Sequence, residues 1–262
     1  MLARPCALGH LLVHSLLHRT CGNPPTIGCS FPQGRATVDL LYLDDRLAAV
    51  AKPAGLLVHP TGLDAHEAVS ALKLLRDQLG RRVWPLHRLD KATSGVLLFA
   101  LDPDAAREWG LAFEQGRVRK RYLALVRGWP EADGEIAQAL ARDPERPSEG
   151  QERVPALTRY RRLARFEWPF RVDERHATSR YALMEVEPLT GRRHQIRRHF
   201  KHIAHPLVGD TTHGKGAHNR AVAAWLGTPR LWLHCEWMEL PTAQGPLRIT
   251  APCGPEWEPL LR

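Results

Sequence analysis

The chain has 262 residues, 44% of them hydrophobic, which is ample for a buried core in one large domain or two small ones. Lys and Arg number 37 against 28 acidic residues, a formal charge of +9 before any of the 14 histidines titrates, so an anionic partner is expected, nucleic acid ahead of a membrane surface. No apolar run approaches the roughly 20 residues of a spanning helix, and the basic residues are spread over several segments instead of one amphipathic stripe, so no membrane partner is assigned. Cys6, Cys21, Cys29, Cys235 and Cys253 are too few and too scattered for a disulfide framework, which points to a reducing, cytoplasmic setting.

Residues 1–36 read as an N-terminal extension. Leu11-Leu12-Val13 and Leu16-Leu17 are interrupted by histidines and no small-residue cleavage site follows, so a secretory signal is not assigned. Gly22 to Gly34 is rich in Pro, Gly, Ser and Thr, as a linker or tail is. The folded body is expected from about Val38, with short strands at Val38–Leu43 and Leu47–Ala51 around Asp44-Asp45 and a turn at Lys52-Pro53-Ala54-Gly55. Asp64 with Glu67 suggests a capping box for a helix carrying Ala68, Leu72, Leu75 and Leu79 on one face and ending at Gly80. Trp84 to Asp90 reads as a loop, Gly95 to Leu101 as an apolar run, and Asp102-Pro103 as the start of a helix that closes at Gly116. Arg121–Val126 and Tyr181–Val186 are expected as strands, Gly134–Val154 as a polar surface excursion, Arg192–Ile203 as a helix and Leu231–His234 as a late strand. Strands outnumber helices and do not alternate with them regularly, so the fold class is α+β with a mixed sheet.

The stretch from Arg192 to His202 is the densest basic segment, and on a helix Arg193 and Arg197 would share a face with no acidic neighbour in the segment. A solvated helix face is the ordinary reading of such a run; phosphate contact or pairing with a buried carboxylate is the sharper one, and the charge of +9 favours it. Asp90 lies in His87-Arg88-Leu89-Asp90-Lys91, where a carboxylate among cations can serve as nucleophile or base, though an Asp before a strand is more often a cap or turn residue. His194, His199, His202, His205, Asp210 and His213 invite a metal reading. His194 and His199 are five apart and face different ways on a helix, and no recognised metal spacing is present, so no metal ligand is assigned. His10, His14 and His18, followed by Cys21, are read as accidental or disordered. Trp109, Trp129, Trp168 and Trp225 are core or rim by default, whereas Tyr122, after Lys120-Arg121, stands where a ring could stack on a base.

Together these segments resemble the RluA family of RNA pseudouridine synthases. The string His87-Arg88-Leu89-Asp90-Lys91-Ala92-Thr93-Ser94-Gly95-Val96-Leu97-Leu98 is similar to the signature around the family's catalytic aspartate, Lys120-Arg121-Tyr122 to its tyrosine motif, and Gly191 to Arg197 to the motif with its active-site arginine. Lys52-Pro53-Ala54-Gly55 and His205 to Asp210 look like further landmarks, so the resemblance spans about Val38 to the C-terminus. Phe113 to Gly116, Val126 to Trp129 and Asn219-Arg220 are similar to the subgroup that modifies uridine 65 of tRNA. That resemblance implies a mainly antiparallel catalytic domain over 37–262 without the S4-type module that many relatives carry, and leaves 1–36 as an extension or a misplaced start.

The resemblance also implies a cofactor-free isomerisation of uridine in structured RNA, most plausibly tRNA, by a monomer. Asp90 would be the essential carboxylate, Arg197 its partner, and Tyr122 the ring that stacks on the base, with Ile196 in the apolar wall. Arg88 would fill the space left by the flipped base, with His87 and Lys120 lining the substrate site and Arg192, Arg193, Arg198 and Lys201 holding phosphates. A ribosomal RNA substrate, a silent RNA-binding protein and a metal-dependent hydrolase are the rival readings.

Overall fold

The computed structural model describes residues 37–59, 69–146 and 149–262. They form part of a unit running from Gly34 to Arg262. Twelve strands follow in chain order: β1 (Asp39–Leu43), β2 (Leu47–Lys52), β3 (Trp84–Pro85), β4 (Ser94–Ala100), β5 (Arg119–Arg127), β6 (Asp133–Ile136), β7 (Leu140–Ala141), β8 (Arg153–Val154), β9 (Thr158–Trp168), β10 (Ser179–Pro188), β11 (Leu233–Thr242) and β12 (Gly245–Thr250). The helices are α1 (Ala71–Leu79), α2 (Pro103–Glu114), α3 (Gln195–His202), α4 (Gly216–Leu226) and α5 (Glu258–Leu261).

One large sheet runs β1-β2-β4-β11-β5-β10-β9-β6, with β3 on β4 and β12 on β11; β7 and β8 pair separately. Among the described strands the β4–β11 pairing is parallel and the others are antiparallel, which is the mixed, mainly antiparallel α+β class expected. Alternate residues of β5 serve different clusters, Tyr122, Ala124 and Val126 one and Leu123 and Leu125 the other, so the centre of the sheet is covered on both faces. Leu75 of α1, Trp109 of α2 and Phe200 of α3 join the first cluster; Val222 of α4 and Leu260 of α5 join the second.

Local chemistry explains most element ends. The Asp44 carboxylate accepts the N–H groups of Arg46 and Leu47, at 2.8 and 2.7 Å, and turns β1 into β2. Asp102 caps α2 by accepting the Ala105 N–H at 2.7 Å, ahead of Pro103. Every residue of β4 is buried, as suits a central strand covered on both sides. Gly95 has φ +115°, and a Cβ there would stand 2.1 Å from the Cys235 carbonyl, so only glycine lets β4 meet β11 this closely.

Several expectations are corrected. The helix of residues 71–79 starts after Ser70, whose hydroxyl accepts the Lys73 N–H; Asp64, Glu67 and Ala68 lie outside the described residues, as do His10, His14, His18 and Cys21. The basic helix begins at Gln195, not Arg192, because the Gln195 side chain takes the Arg192 N–H and the Thr190 hydroxyl and His194 sits at φ +53°, a left-handed conformation that no helix continues through. Arg193 and Arg197 therefore do not share a helix face. The segment 134–154 is more than an excursion: β6 extends the sheet edge, and Ile136, Leu140 and Ala141 are buried. The late strand runs to Thr242 instead of ending at His234.

Candidate active site

Asp90 is placed by a turn. Its carbonyl accepts the Thr93 N–H at 3.0 Å, and the chain then enters β4. Behind the turn the Lys91 carbonyl accepts the Gly55 N–H at 2.8 Å and the Lys52 ammonium at 3.0 Å. Lys52, 1% exposed, also donates to the carbonyls of Pro53 and Leu56, so three carbonyls take its three N–H groups. Burial, partly offset by the charge of Asp90, pushes the Lys52 pKa down to about 7. The Lys52 to Gly55 turn is thus the brace of the Asp90 turn.

The Asp90 side chain is 17% exposed and meets Arg197 of α3, whose Nη1 donates to Oδ2 at 2.9 Å. Arg197 is in turn bound side-on by Asp210: Nε and Nη2 donate to its two carboxylate oxygens at 2.7 and 2.9 Å. Asp210 has no exposed side-chain surface and also accepts the N–H groups of Thr212 and His213. Burial works against both charges, yet the Arg197 hydrogen bonds and charge lower the Asp210 pKa, and Asp210 and then Asp90 raise that of Arg197. Across from Arg197, the His194 ring stands 3.8 Å from Asp90 Oδ1 and hydrogen-bonds the His213 ring at 3.2 Å. Burial lowers both imidazole pKa values, that of His213 to about 4, so the pair is neutral at pH 7.

These groups open on a cavity of about 560 Å³ between the Asp90 turn, the end of α2, the start of β5, the end of β10 and the turn before α3. Tyr122 forms its floor, 8% exposed, opposite Val186 of β10 and Cys235 of β11. Burial, with the neighbouring Cys235 and Asp90, holds the Tyr122 phenol well above its ordinary pKa, so it offers a ring face and an O–H. Leu86, Leu89, Phe113, Ile196 and Leu233 make the walls apolar. Lys120, two residues before Tyr122 on β5, faces the same cavity, and burial lowers its pKa.

Nine of the eleven residues singled out in the sequence line this one cavity: His87, Arg88, Asp90, Lys120, Tyr122, Arg192, Arg193, Ile196 and Arg197. Three of them are otherwise engaged. His87 Nε2 accepts the Leu98 N–H at 3.1 Å and its ring stacks on Phe113, while burial pushes its pKa down to about 3. Arg193 pairs with Asp143 and Glu145, acidic residues from the segment read as a surface excursion. Arg192, exposed, donates from Nε to the Pro155 carbonyl at 3.1 Å. Arg198 and Lys201 lie off the cavity: Arg198 donates to the Ala141 carbonyl at 2.8 Å, and Lys201 is exposed on α3. The six candidate metal ligands do not form one cluster: His194, His213 and Asp210 meet beside Asp90, whereas His199 bonds Thr158 and Gln138 and His205 bonds the Arg127 carbonyl. Sequence reasoning missed Asp210 as the partner of Arg197, because the two lie thirteen positions apart across a loop and no spacing rule links them.

Comparison with known proteins meets this geometry. A family model described as RNA pseudouridylate synthase matches residues 46–202. The chain is 43% identical over 231 residues to tRNA pseudouridine synthase C of Vibrio cholerae, covering 86% of this chain and 94% of that one. It is 42% identical over 238 residues to the protein of the same name from Pasteurella multocida, covering 86% and 95%. Among solved structures, human RNA Pseudouridylate Synthase Domain Containing 1 superposes with a TM-score of 0.66 at 25% identity, over 83% of this chain and 84% of that one. Human RNA Pseudouridylate Synthase Domain Containing 4 shares the fold at a TM-score of 0.60 and 23% identity, over 83% and 89%.

Proposed function

The chain belongs to the RNA pseudouridylate synthase family, and we propose that within it the protein isomerises a uridine of tRNA, uridine 65, with Asp90 as the essential carboxylate. The tRNA assignment is supported by the curated relatives, which carry the name tRNA pseudouridine synthase C over 86% of this chain. The choice of uridine 65 rests on the similarity of Phe113 to Gly116, Val126 to Trp129 and Asn219-Arg220 to the subgroup with that target. The observation that carries the catalytic assignment is the single cavity in which Asp90, Tyr122 and Arg197 meet on an apolar wall.

Isomerisation breaks the N1–C1′ bond, turns the uracil and forms a C5–C1′ bond, while the C5 proton is lost and N1 gains one. Atoms and electrons balance without any redox or group-transfer partner, so the reaction calls for no cofactor. Asp90, held by one guanidinium N–H, supplies the carboxylate at the reacting sugar or base. The Tyr122 ring and Ile196 hold the detached uracil against an apolar surface and keep water from the sugar. Bringing the uridine out of its stack costs a few kcal/mol, and Arg88, exposed at the mouth, is positioned to take the vacated place. His87 and Lys120 border the base pocket, Arg192 at its edge and Lys201 outside it on α3 supply exposed positive charge for phosphates, and Arg193 would join them only once released from Asp143 and Glu145. The enzyme acts as a cytoplasmic monomer in this reading.

Mapping pseudouridine by carbodiimide-induced primer-extension stops, on bulk tRNA and ribosomal RNA incubated with the purified protein, tests the substrate. A new stop at uridine 65 of tRNA is expected. New stops confined to ribosomal RNA would keep the enzyme class and overturn the tRNA reading.

A further inference from the structure

Arg197 is shared unequally between two carboxylates. It gives Asp210 two hydrogen bonds along one edge, from Nε and Nη2, and gives Asp90 one, from Nη1. The guanidinium is a planar fork whose edges each fit a carboxylate, so the acid that takes the side-on edge sets the plane. Here that acid is Asp210, wholly buried and itself fixed by two backbone N–H groups. Its backbone is clamped as well. Asn219 of α4 accepts the Gly209 N–H at 2.9 Å and donates to the Asp210 carbonyl at 2.9 Å. A Cβ on Gly209, which has φ +80°, would lie 1.7 Å from the Arg230 carbonyl, so the segment has no room to drift.

Asp210 governs the other side of Asp90 too. Its Oδ1 accepts the His213 N–H, and the His213 ring holds the His194 ring beside Asp90 Oδ1. The 3.8 Å separation there is longer than a hydrogen bond, so among the described residues Oδ1 of Asp90 is not committed to a donor. Without Asp210, no other contact of Arg197 among the described residues would keep the guanidinium from turning its fork onto both Asp90 oxygens.

We propose that Asp210, with Asn219 behind it, is the positioning residue that holds Arg197 to a single contact with Asp90 and leaves one Asp90 oxygen available for the substrate. This rests on Asp90 being the catalytic carboxylate. Asp210 touches no reacting atom; its effect passes through Arg197.

The test uses a tRNA transcript tritiated at uridine C5, since forming the C5–C1′ bond releases that hydrogen, with KM from multiple turnover and the rate constant from single turnover with enzyme in excess. Asp210→Asn is expected to lower the rate constant by about 10–100-fold, the range for partners that orient a reacting group, with KM changed less than about twofold. Asn219→Ala is expected to act in the same sense, less strongly. In an Arg197→Lys background, Asp210→Asn should cost less than about threefold, because residues acting through one another are not additive. Equal losses in both backgrounds, or a rise in KM alone, would overturn the proposal. If Asp210→Asn does not fold, Asn219→Ala decides by the same two criteria. Asp90→Asn run alongside separates the two claims: if it turns over like wild type the catalytic assignment fails, whereas an inert Asp90→Asn beside a fully active Asp210→Asn removes only the positioning role.

Discussion

Arg192, Arg193 and Arg197 lie within six residues, yet they belong to two different regions of the molecule. Arg197 is 8% exposed and spans two carboxylates at the floor of the site, where its charge is fixed and desolvated. Arg192 is exposed with one carbonyl contact, and Arg193 is half-buried against Asp143 and Glu145. The difference comes from His194. Its left-handed turn ends the irregular segment and starts α3, so the arginine before it points to the rim and the one after it points inward. The density of charge in the chain does not separate the two regions; the turn at His194 places Arg197 among buried carboxylates and leaves Arg192 exposed.

The two regions should respond most differently to a change at Arg197. Arg197→Met leaves Asp90 and Asp210 as carboxylates without their shared cation, and a loss of about 3–5 kcal/mol in urea unfolding is expected, the scale for breaking a buried pair on one side. At the rim the same change of charge should hardly touch stability. Arg192→Ala and Lys201→Ala are each expected to leave the unfolding midpoint within about 0.5 kcal/mol. Each should also weaken tRNA binding and flatten the plot of log affinity against log salt by about one unit, read by filter binding at several ionic strengths.

A smaller effect separates Arg193 from its neighbours. Because Asp143 and Glu145 hold it, Asp143→Asn with Glu145→Gln should free its charge and tighten tRNA binding several-fold at low salt, while costing no more than about 1 kcal/mol of stability, as partly exposed pairs do. Titration supplies a further contrast. Burial lowers the His213 pKa from 6.5 to about 4, so the folded state binds fewer protons than the unfolded one between those values. It costs nothing above about pH 6.5, where both states are neutral, and destabilises the fold increasingly as pH falls toward 4. Stability measured against pH should fall less steeply over that window in His213→Gln than in the wild type.

Much of the sheet was legible because its strands are apolar runs bounded by turn residues: β1, β2, β5 and β10 were found, each within a few residues of its ends, and β4 showed as an apolar run. β9 was not found. Its exposed and half-buried residues alternate throughout, but Leu163 falls in the exposed set and Arg162 in the half-buried one, so the residue types do not show the alternation. The α4 helix was missed because, of its residues, only Val222 is buried. At the site, the motifs named the residues that line the cavity; Asp210, Asn219, His194 and His213 were also singled out, but as metal candidates or landmarks, and their contacts were not foreseen. They are joined through loops and backbone hydrogen bonds that no sequence spacing encodes.

The central claim is that the inner region performs chemistry through Asp90, and it is tested most directly by tritium release from C5-labelled tRNA with wild-type protein and Asp90→Asn side by side. Asp90→Asn is expected to lose turnover by at least about a thousandfold, with tRNA affinity and its salt dependence unchanged, since the rim supplies the binding. Release by Asp90→Asn at the wild-type rate would contradict it.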